Sequence, residues 1–214
     1  MIKVVFPDQS IKEFEKGTKV IDIAKSISEG LARNVISASF NNEICETETE
    51  LYSDGEIKLY TWDDNEGKQA FWHSSAHILA QTIKFYYPNC KLTIGPSIEN
   101  GFYYDIDFED DVFSEKDFTK IENKFIEFAR ENHQFVMKSI SKDEALSFYK
   151  KENNKYKIEL INGLEDGSIS FCVHSNFTDL CKGGHIPSTG IVKAIKLLNV
   201  AGAYWRGDEK NSQL

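Results

Sequence analysis

The first 62 residues alternate between short apolar runs and polar turns, with one segment of helical period among them. The pattern predicts strands at residues 2–6 and 11–14, a helix at 18–27, and strands at 35–40 and 56–62. In the helix, Val20, Ile23, Ala24 and Ile27 fall on one face, and Thr18 can cap the first turn. This order of elements in so short a segment indicates a ubiquitin-like β-grasp domain over residues 1–62.

A polar linker at residues 63–67 precedes a longer segment in which helices and strands alternate. Its main element is a helix predicted at residues 68–87, with a core-facing stripe of Trp72, Ala76, Leu79, Ile83 and Tyr86. Further predictions are strands at 93–95 and 102–108, helices at 114–132 and 143–151, strands at 156–161 and 169–173, and a loop at 178–190. We therefore expect an α+β domain over residues 63–214, with an antiparallel sheet packed around the long helix.

Composition narrows the class of protein further. Hydrophobic residues make up 41% of the chain and aromatic residues 13%, which is enough for folded cores. The net charge of −9 disfavours a protein that coats nucleic acid, because phosphate neutralisation needs clustered Lys and Arg. The four cysteines show no C-x2-C spacing, so no disulfide framework is expected. Because neither a signal peptide nor an apolar run of about 18 residues is present, we expect a cytoplasmic protein without a membrane partner.

The candidate reactive residues form two pairs, one of two histidines and one of a cysteine and a histidine. His73 and His77 are four residues apart in the long predicted helix, so they lie on the same side of it. Cys181 and His185 have the same spacing in a predicted loop that is rich in glycine. Either pair alone is consistent with ordinary positions on an amphipathic helix and in a turn. Together they indicate either a zinc site or an acid–base pocket.

Six motifs occur in the order seen in threonyl-tRNA synthetases, and the whole chain resembles that family. They are His73-Ser-Ser-Ala-His77, Ile94-Gly-Pro, Gly101-Phe-Tyr-Tyr-Asp105, Tyr156-Lys157, the run from Asp179 to His185, and Ala203-Tyr-Trp-Arg-Gly-Asp208. The resemblance implies a TGS domain at residues 1–62 and an editing domain at residues 63–214. Editing domains of alanyl-tRNA synthetases are similar in the His and Cys motifs, but the β-grasp segment and the last motif favour the threonyl family. The first hairpin departs from the family pattern, since Asp8-Gln-Ser10 replaces the usual Asp-Gly-Ser.

The resemblance implies proofreading hydrolysis of threonine tRNA that has been mischarged with serine. Serine lacks one methyl group of threonine, and one such group supplies only about 1–3 kcal/mol of discrimination in a pocket. A second site must therefore hydrolyse the seryl ester and sterically refuse the threonyl ester. These residues leave no room for an ATP-dependent aminoacylation domain, so we expect a piece of the longer enzyme. A homodimer is expected only of the full-length enzyme.

The same resemblance makes His73 and Lys157 the candidate catalytic residues. His73 would position a water molecule or the ribose 2′-hydroxyl beside the ester carbonyl, because histidine exchanges protons near neutral pH. Lys157 would stabilise the negative charge that develops on oxygen. The residues predicted to bind substrate are His77, Gly95, Tyr104, Asp179, Cys181 and His185. Among these, Asp179 is predicted to pair with the seryl ammonium group. No metal ion or other cofactor is expected.

Two alternatives remain beside this interpretation. The first is a zinc-dependent deacylase of the alanyl type that acts in trans, with His73, His77, Cys181 and His185 as ligands. Metal content and substrate choice distinguish it from a metal-free editing site. The second is a non-enzymatic RNA-binding or regulatory module that uses the β-grasp domain for recognition. The Cys and His motifs argue against it, because a binding module needs no such group.

Overall fold

A computed structural model describes residues 1–214, and these form two compact units. Unit 1 comprises residues 1–74 and 183–188, and unit 2 comprises residues 75–182 and 189–214. The helices are α1 (Val20–Ile27), α2 (Glu29–Asn34), α3 (Asn65–Tyr86), α4 (Phe118–Arg130), α5 (Lys142–Lys151) and α6 (Lys155–Asn162). The strands are β1 (Ile2–Val5), β2 (Ile11–Phe14), β3 (Thr18–Lys19), β4 (Ser37–Phe40), β5 (Glu43–Cys45), β6 (Glu50–Leu51), β7 (Gly55–Tyr60), β8 (Lys91–Leu92), β9 (Ser97–Ile98), β10 (Gly101–Phe102), β11 (Ile106–Asp107), β12 (Val136–Ser139), β13 (Ser170–His174) and β14 (Phe177–Leu180). The predicted domain boundary after residue 62 stays a prediction.

Unit 1 is built on a five-stranded sheet in the order β2-β1-β7-β4-β5. Strand β1 pairs antiparallel with β2 and parallel with β7, whereas β4 is antiparallel to both β7 and β5. The core combines residues of α1 and of the strands with Phe6, which directly follows β1: Ile2, Val4, Phe6, Val20, Ile23, Ala38, Leu51 and Ile57. A mixed sheet that packs one helix against it is the predicted β-grasp fold, and that prediction is confirmed.

Helix α1 differs from the prediction at both ends. It begins at Val20, and its N-cap residue Lys19 makes no side-chain capping bond. The predicted cap at Thr18 is wrong, because Thr18 pairs with Leu51 in a two-stranded ladder and its hydroxyl donates to the carbonyl of Glu15. At the other end Ile27 is exposed, so the buried face of α1 is shorter than predicted.

Unit 2 combines short antiparallel strand pairs with helices, as the predicted α+β class requires. Strands β12, β13 and β14 form a three-stranded antiparallel sheet in that order, and β8–β11 and β9–β10 form two-stranded pairs. A core between this sheet and helices α5 and α6 contains Ala145, Tyr149, Ile161, Ile169 and Phe171. No helix in the structure combines the length and apolar character needed to cross a membrane.

The segment at residues 156–161 was predicted as a strand, and this prediction is wrong because the segment lies within α6. Apolar and charged residues alternate from Lys155 to Leu160, which is a strand period. The side chain of Asn154 overrides this pattern by accepting hydrogen bonds from the backbone N–H groups of Tyr156 (3.1 Å) and Lys157 (3.0 Å). It thereby satisfies donors that have no partner within the helix. The cap places Lys157 in the first turn of α6.

Other boundaries in unit 2 differ by smaller amounts. The predicted loop at 178–190 begins later than expected, because residues 178–180 belong to β14. The predicted strand at 102–108 is divided between β10 and β11, and the strand predicted at 93–95 is observed earlier, as β8. The predicted helix at 114–132 begins as a 3-10 turn and continues as α4, and the helix predicted at 143–151 corresponds to α5.

Candidate active site

Helix α3 carries both predicted histidines, His73 and His77, on consecutive turns. His77 is buried and His73 is half-buried. His73 belongs to unit 1 and His77 to unit 2.

In unit 2, the predicted residues converge on the carboxylate of Asp179. Lys157 Nζ lies 2.6 Å from Asp179 Oδ1, and the Tyr149 hydroxyl donates to the same oxygen at 3.1 Å. The Tyr104 hydroxyl donates to Oδ2 at 2.9 Å, and His77 Nδ1 lies 3.5 Å from Oδ2. The side chains of Lys157 and Asp179 are both only 4% exposed. A buried carboxylate needs this kind of neutralisation, because leaving it unpaired away from water is costly.

Tyr149 is the member of this group that the sequence analysis missed. It lies on α5 among the apolar core residues of unit 2, and its hydroxyl also accepts a hydrogen bond from the backbone N–H of Leu180 at 2.7 Å. Tyr149 lies four residues after Ala145 on α5, which is the spacing of an ordinary core residue. Only the fold brings its hydroxyl to Asp179, so no local signal in the sequence could have found it.

The two tyrosine hydroxyls act as neutral donors. Burial raises the pKa of Tyr104 and of Tyr149 well above the ordinary value, and the negative charge of Asp179 raises both further. Both phenols therefore remain protonated at neutral pH, and they orient Asp179 without acting as bases.

Gly95 is close to Tyr104. A Cβ at Gly95 would lie 2.3 Å from Cδ2 of the Tyr104 ring, which is far inside van der Waals contact. The absence of a side chain at residue 95 therefore allows the ring to pack over this part of the backbone. The role of Gly95 in binding substrate stays a prediction, and its close neighbour in the structure is the Tyr104 ring.

Cys181 directly follows β14 and continues its pairing with β13. Its backbone N–H donates to the carbonyl of Ser170 at 3.1 Å, and its carbonyl accepts from the Ser170 hydroxyl at 2.6 Å. Because side chains alternate along a strand, Cys181 falls on the same side as Asp179. The side chain is buried, and none of the four cysteines of the chain forms a disulfide.

In unit 1, His73 and His185 are neighbours. Their ring centroids are 4.7 Å apart and the ring planes are inclined at 41°. The loop that carries His185 is attached to α3, because the backbone N–H of Ile186 donates to the Ser74 hydroxyl at 3.0 Å. His185 is fully buried, and Glu46 of the β-grasp domain lies beside it.

The side chains whose types could hold a metal ion are those of His73, His77, Cys181 and His185. Imidazole and thiolate are the usual ligands of zinc. The same side chains also suit an acid–base pocket, so residue type alone does not decide between these two kinds of site.

Two domain families match the chain. Residues 2–61 match the TGS domain, and residues 169–214 match the threonyl and alanyl tRNA synthetase second additional domain. The fold and the matched domains therefore define the amino-terminal region of an aminoacyl-tRNA synthetase.

The similar proteins are all synthetases named for one amino acid, threonine. The chain is 59% identical to a threonine–tRNA ligase of Flavobacterium psychrophilum, 53% identical to one of Cytophaga hutchinsonii and 52% identical to one of Clostridioides difficile. Each alignment covers 100% of the chain and 33–34% of the relative, so the chain spans about one third of the length of the curated relatives it matches. The chain belongs to the threonyl-tRNA synthetase family and corresponds to its amino-terminal region.

Proposed function

We propose that this chain is the proofreading part of a threonyl-tRNA synthetase and hydrolyses the ester of threonine tRNA mischarged with serine. The observation that carries the proposal is the buried group formed by Asp179, Lys157, Tyr104 and His77. Lysine and aspartate are rarely buried unless they are paired, and here the buried pair also meets two other polar side chains. The second additional domain, which is shared by threonyl and alanyl tRNA synthetases, includes Asp179.

In this proposal Asp179 binds the α-ammonium group of the seryl ester. Its Oδ1 already accepts from Lys157, from Tyr149 and from the backbone N–H of Leu180. A carboxylate offers about four lone-pair positions, so the incoming ammonium would approach Oδ2, which accepts from Tyr104. The tyrosine donors keep the carboxylate plane fixed, and a fixed carboxylate holds the ester in one orientation.

The proposed hydrolysis is an attack of water on the ester carbonyl. The oxygen of the water bonds to the carbonyl carbon, and its proton passes to a base, for which we propose His73. The bond to the ribose oxygen then breaks, that oxygen takes the proton back from His73, and serine and uncharged tRNA are released. Lys157 stabilises the negative charge on the carbonyl oxygen. An ammonium has three N–H donors, so Lys157 can keep its bond to Asp179 and still donate to the oxyanion.

To reject the threonyl ester, the pocket needs a rigid side chain at the position that the extra methyl group of threonine would occupy. The Tyr104 ring packs against Gly95, and its hydroxyl is bonded to Asp179, so the ring is held at both ends. A rigid ring of this kind supports rejection of a methyl group, because a wall that relaxes would accept both esters.

We also propose that hydrolysis needs no metal ion. A set of four protein ligands closes the tetrahedral coordination of zinc and leaves no position for water, as in structural sites. Repulsion between a zinc ion and the Lys157 ammonium is a weaker argument against zinc, because the carboxylate of Asp179 neutralises Lys157.

One observation favours the alternative of a zinc-dependent deacylase. His185 Nδ1 lies 3.1 Å from a carboxylate oxygen of Glu46, and metal-bound histidines usually have such a partner on the second ring nitrogen. Metal analysis of the purified protein separates the two mechanisms.

Single-turnover deacylation of seryl-tRNA by variants of the chain tests the proposed roles. We expect His73→Ala to reduce the rate about 10²–10⁴-fold, the range of general acid–base catalysis, and Lys157→Ala to reduce it about 10²–10³-fold. Cys181→Ala should reduce it less than either. Lys155→Ala is the matched control, because Lys155 occupies the same helical turn as Lys157 but its side chain is 63% exposed.

Circular dichroism establishes that each variant is folded before the rates are compared. A Cys181→Ala variant as inactive as His73→Ala would overturn the proposed roles, since it would indicate a covalent thioester at Cys181. Equal rates for Lys157→Ala and Lys155→Ala would show that Lys157 has no catalytic role.

A further inference from the structure

We propose that Glu46 of the β-grasp domain is a positioning residue for the candidate active site, acting through His185 and the loop that carries it. This inference rests on the proposed function. Glu46 lies between β5 and β6, inside the matched TGS domain, and is 139 residues away from His185 along the chain. Both residues belong to unit 1. The β-grasp domain would thus contribute to hydrolysis without touching the substrate.

One carboxylate oxygen of Glu46 holds two groups of the loop. Oε1 accepts from the backbone N–H of Gly184 at 3.0 Å and lies 3.1 Å from His185 Nδ1. A buried backbone N–H and a buried imidazole both need acceptors, and one side chain provides both. Loss of Glu46 would leave two buried donors without this acceptor.

The loop is shaped for this contact. Gly183 and Gly184 have φ angles of +98° and +87°, a backbone conformation that residues with side chains rarely adopt. A Cβ at Gly183 would lie 3.2 Å from Glu46 Oε1, and a Cβ at Gly184 would lie 3.2 Å from Ile44 Cγ2. The two glycines therefore let the loop pass close to the end of β5, where Glu46 can reach it.

The contact also fixes the tautomer of His185. A carboxylate only accepts hydrogen bonds, so a neutral imidazole beside it must carry its proton on Nδ1. Nε2 is then an acceptor. The side chain of His185 is 0% exposed, so bulk water does not compete for either nitrogen. The neighbouring ring is that of His73, the proposed base, at a centroid distance of 4.7 Å.

The contact between Glu46 and the loop is largely shielded from water, since the side chain of His185 is 0% exposed and that of Glu46 is 20% exposed. Glu48, two residues further along, is a different kind of group. It pairs with Lys19 at 2.9 Å on the surface, where both side chains are 42% exposed and such pairs contribute little.

The experiment compares Glu46→Ala, Glu46→Gln and the matched control Glu48→Ala in two measurements. The first is the 15N NMR spectrum of the His185 ring, which reports the tautomer and does not depend on hydrolysis. The second is the saturating single-turnover rate of seryl-tRNA deacylation, together with the tRNA concentration at half-saturation.

For Glu46→Ala we expect loss of the Nδ1–H tautomer as the single form and a rate about 10–100-fold lower, as for other residues that orient a functional histidine. The half-saturating tRNA concentration should not change, because Glu46 does not contact substrate. Glu46→Gln keeps an acceptor oxygen in place and should retain the tautomer and most of the rate. Glu48→Ala should match the wild type in both measurements.

The proposal is overturned if Glu46→Ala keeps the wild-type tautomer, or if its rate equals that of Glu48→Ala. Should Glu46→Ala fail to fold, Glu46→Leu, which also lacks an acceptor, takes its place, and retention of the wild-type tautomer in that folded variant would overturn the proposal. A wild-type chain that does not hydrolyse seryl-tRNA would refute the proposed function instead, while the spectrum would still decide whether Glu46 orients His185.

Discussion

The ion pair of Lys157 and Asp179 should be strongly coupled to the stability of unit 2. Nζ lies 2.6 Å from Oδ1, and both side chains are 4% exposed. Lys157→Met removes the cation but leaves the carboxylate among protein groups, with Tyr104 and Tyr149 as its side-chain donors. Removing one partner of a buried pair costs about 3–5 kcal/mol, because the remaining charge has lost its compensation.

The double variant isolates the coupling between the two charges. Asp179→Asn alone should also cost about 3–5 kcal/mol, since it leaves the lysine ammonium buried and unpaired. Lys157→Met combined with Asp179→Asn leaves neither charge, so its cost should fall below the sum of the single costs by about 1–3 kcal/mol. The free energy of unfolding of all four proteins is measured by urea denaturation at pH 7, followed by circular dichroism.

Lys155→Met controls for loss of a lysine from the same helical turn. Its side chain is 63% exposed and lies 3.7 Å from Asp107, so the change should cost about 0–1 kcal/mol. The reasoning is refuted if Lys157→Met is no more destabilising than Lys155→Met. It is also refuted if the costs of the two single changes add without coupling.

Four further outcomes follow from the structure. Gly95→Ala should lower stability by about 1–3 kcal/mol and slow deacylation, because the new methyl group meets the Tyr104 ring at 2.3 Å; an unchanged denaturation midpoint and rate would contradict the packing. Asn154→Ala should cost about 0.5–2 kcal/mol by removing the cap of α6, as measured by urea denaturation against an exposed Asn→Ala control, and equal stability would contradict the cap. Burial raises the pKa of Cys90 to about 12, so the thiol should stay unreactive toward iodoacetamide at pH 8 until urea unfolds the chain. Alkylation is detected by mass spectrometry, and rapid alkylation of the folded protein would contradict this prediction. Protein purified without chelator should contain no stoichiometric zinc and should keep its rate after chelation; zinc whose removal stops hydrolysis and whose return restores it would refute the metal-free proposal.

The β-grasp fold and the positions of the two histidines were predictable because they depend on local sequence. The apolar spacing of α1 and β1 is expressed within a few residues, and the four-residue spacing of His73 and His77 needs only a helix. The prediction failed at α6 because alternation from Lys155 to Leu160 has the period of a strand, while the deciding signal was the single cap residue Asn154.

The partners of the site residues were not predictable in the same way. Tyr149 contacts Asp179 from the face of α5 that also carries apolar core residues. Glu46 contacts His185, which lies 139 residues further along the chain. Neither pair leaves a periodic or local pattern, since each contact exists only after the chain has folded. The sequence therefore supplies the candidate reactive groups, whereas the fold supplies the groups that orient them.

The central claim is that the chain hydrolyses the seryl ester and spares the threonyl ester. The most direct test is single-turnover deacylation of seryl- and threonyl-charged threonine tRNA by the wild-type chain, with its concentration raised until each rate saturates. We predict release of serine at a rate at least about 10-fold above that of threonine, which is the lower limit expected from one methyl group. Equal rates for the two esters, or no release of serine at saturation, would contradict the account.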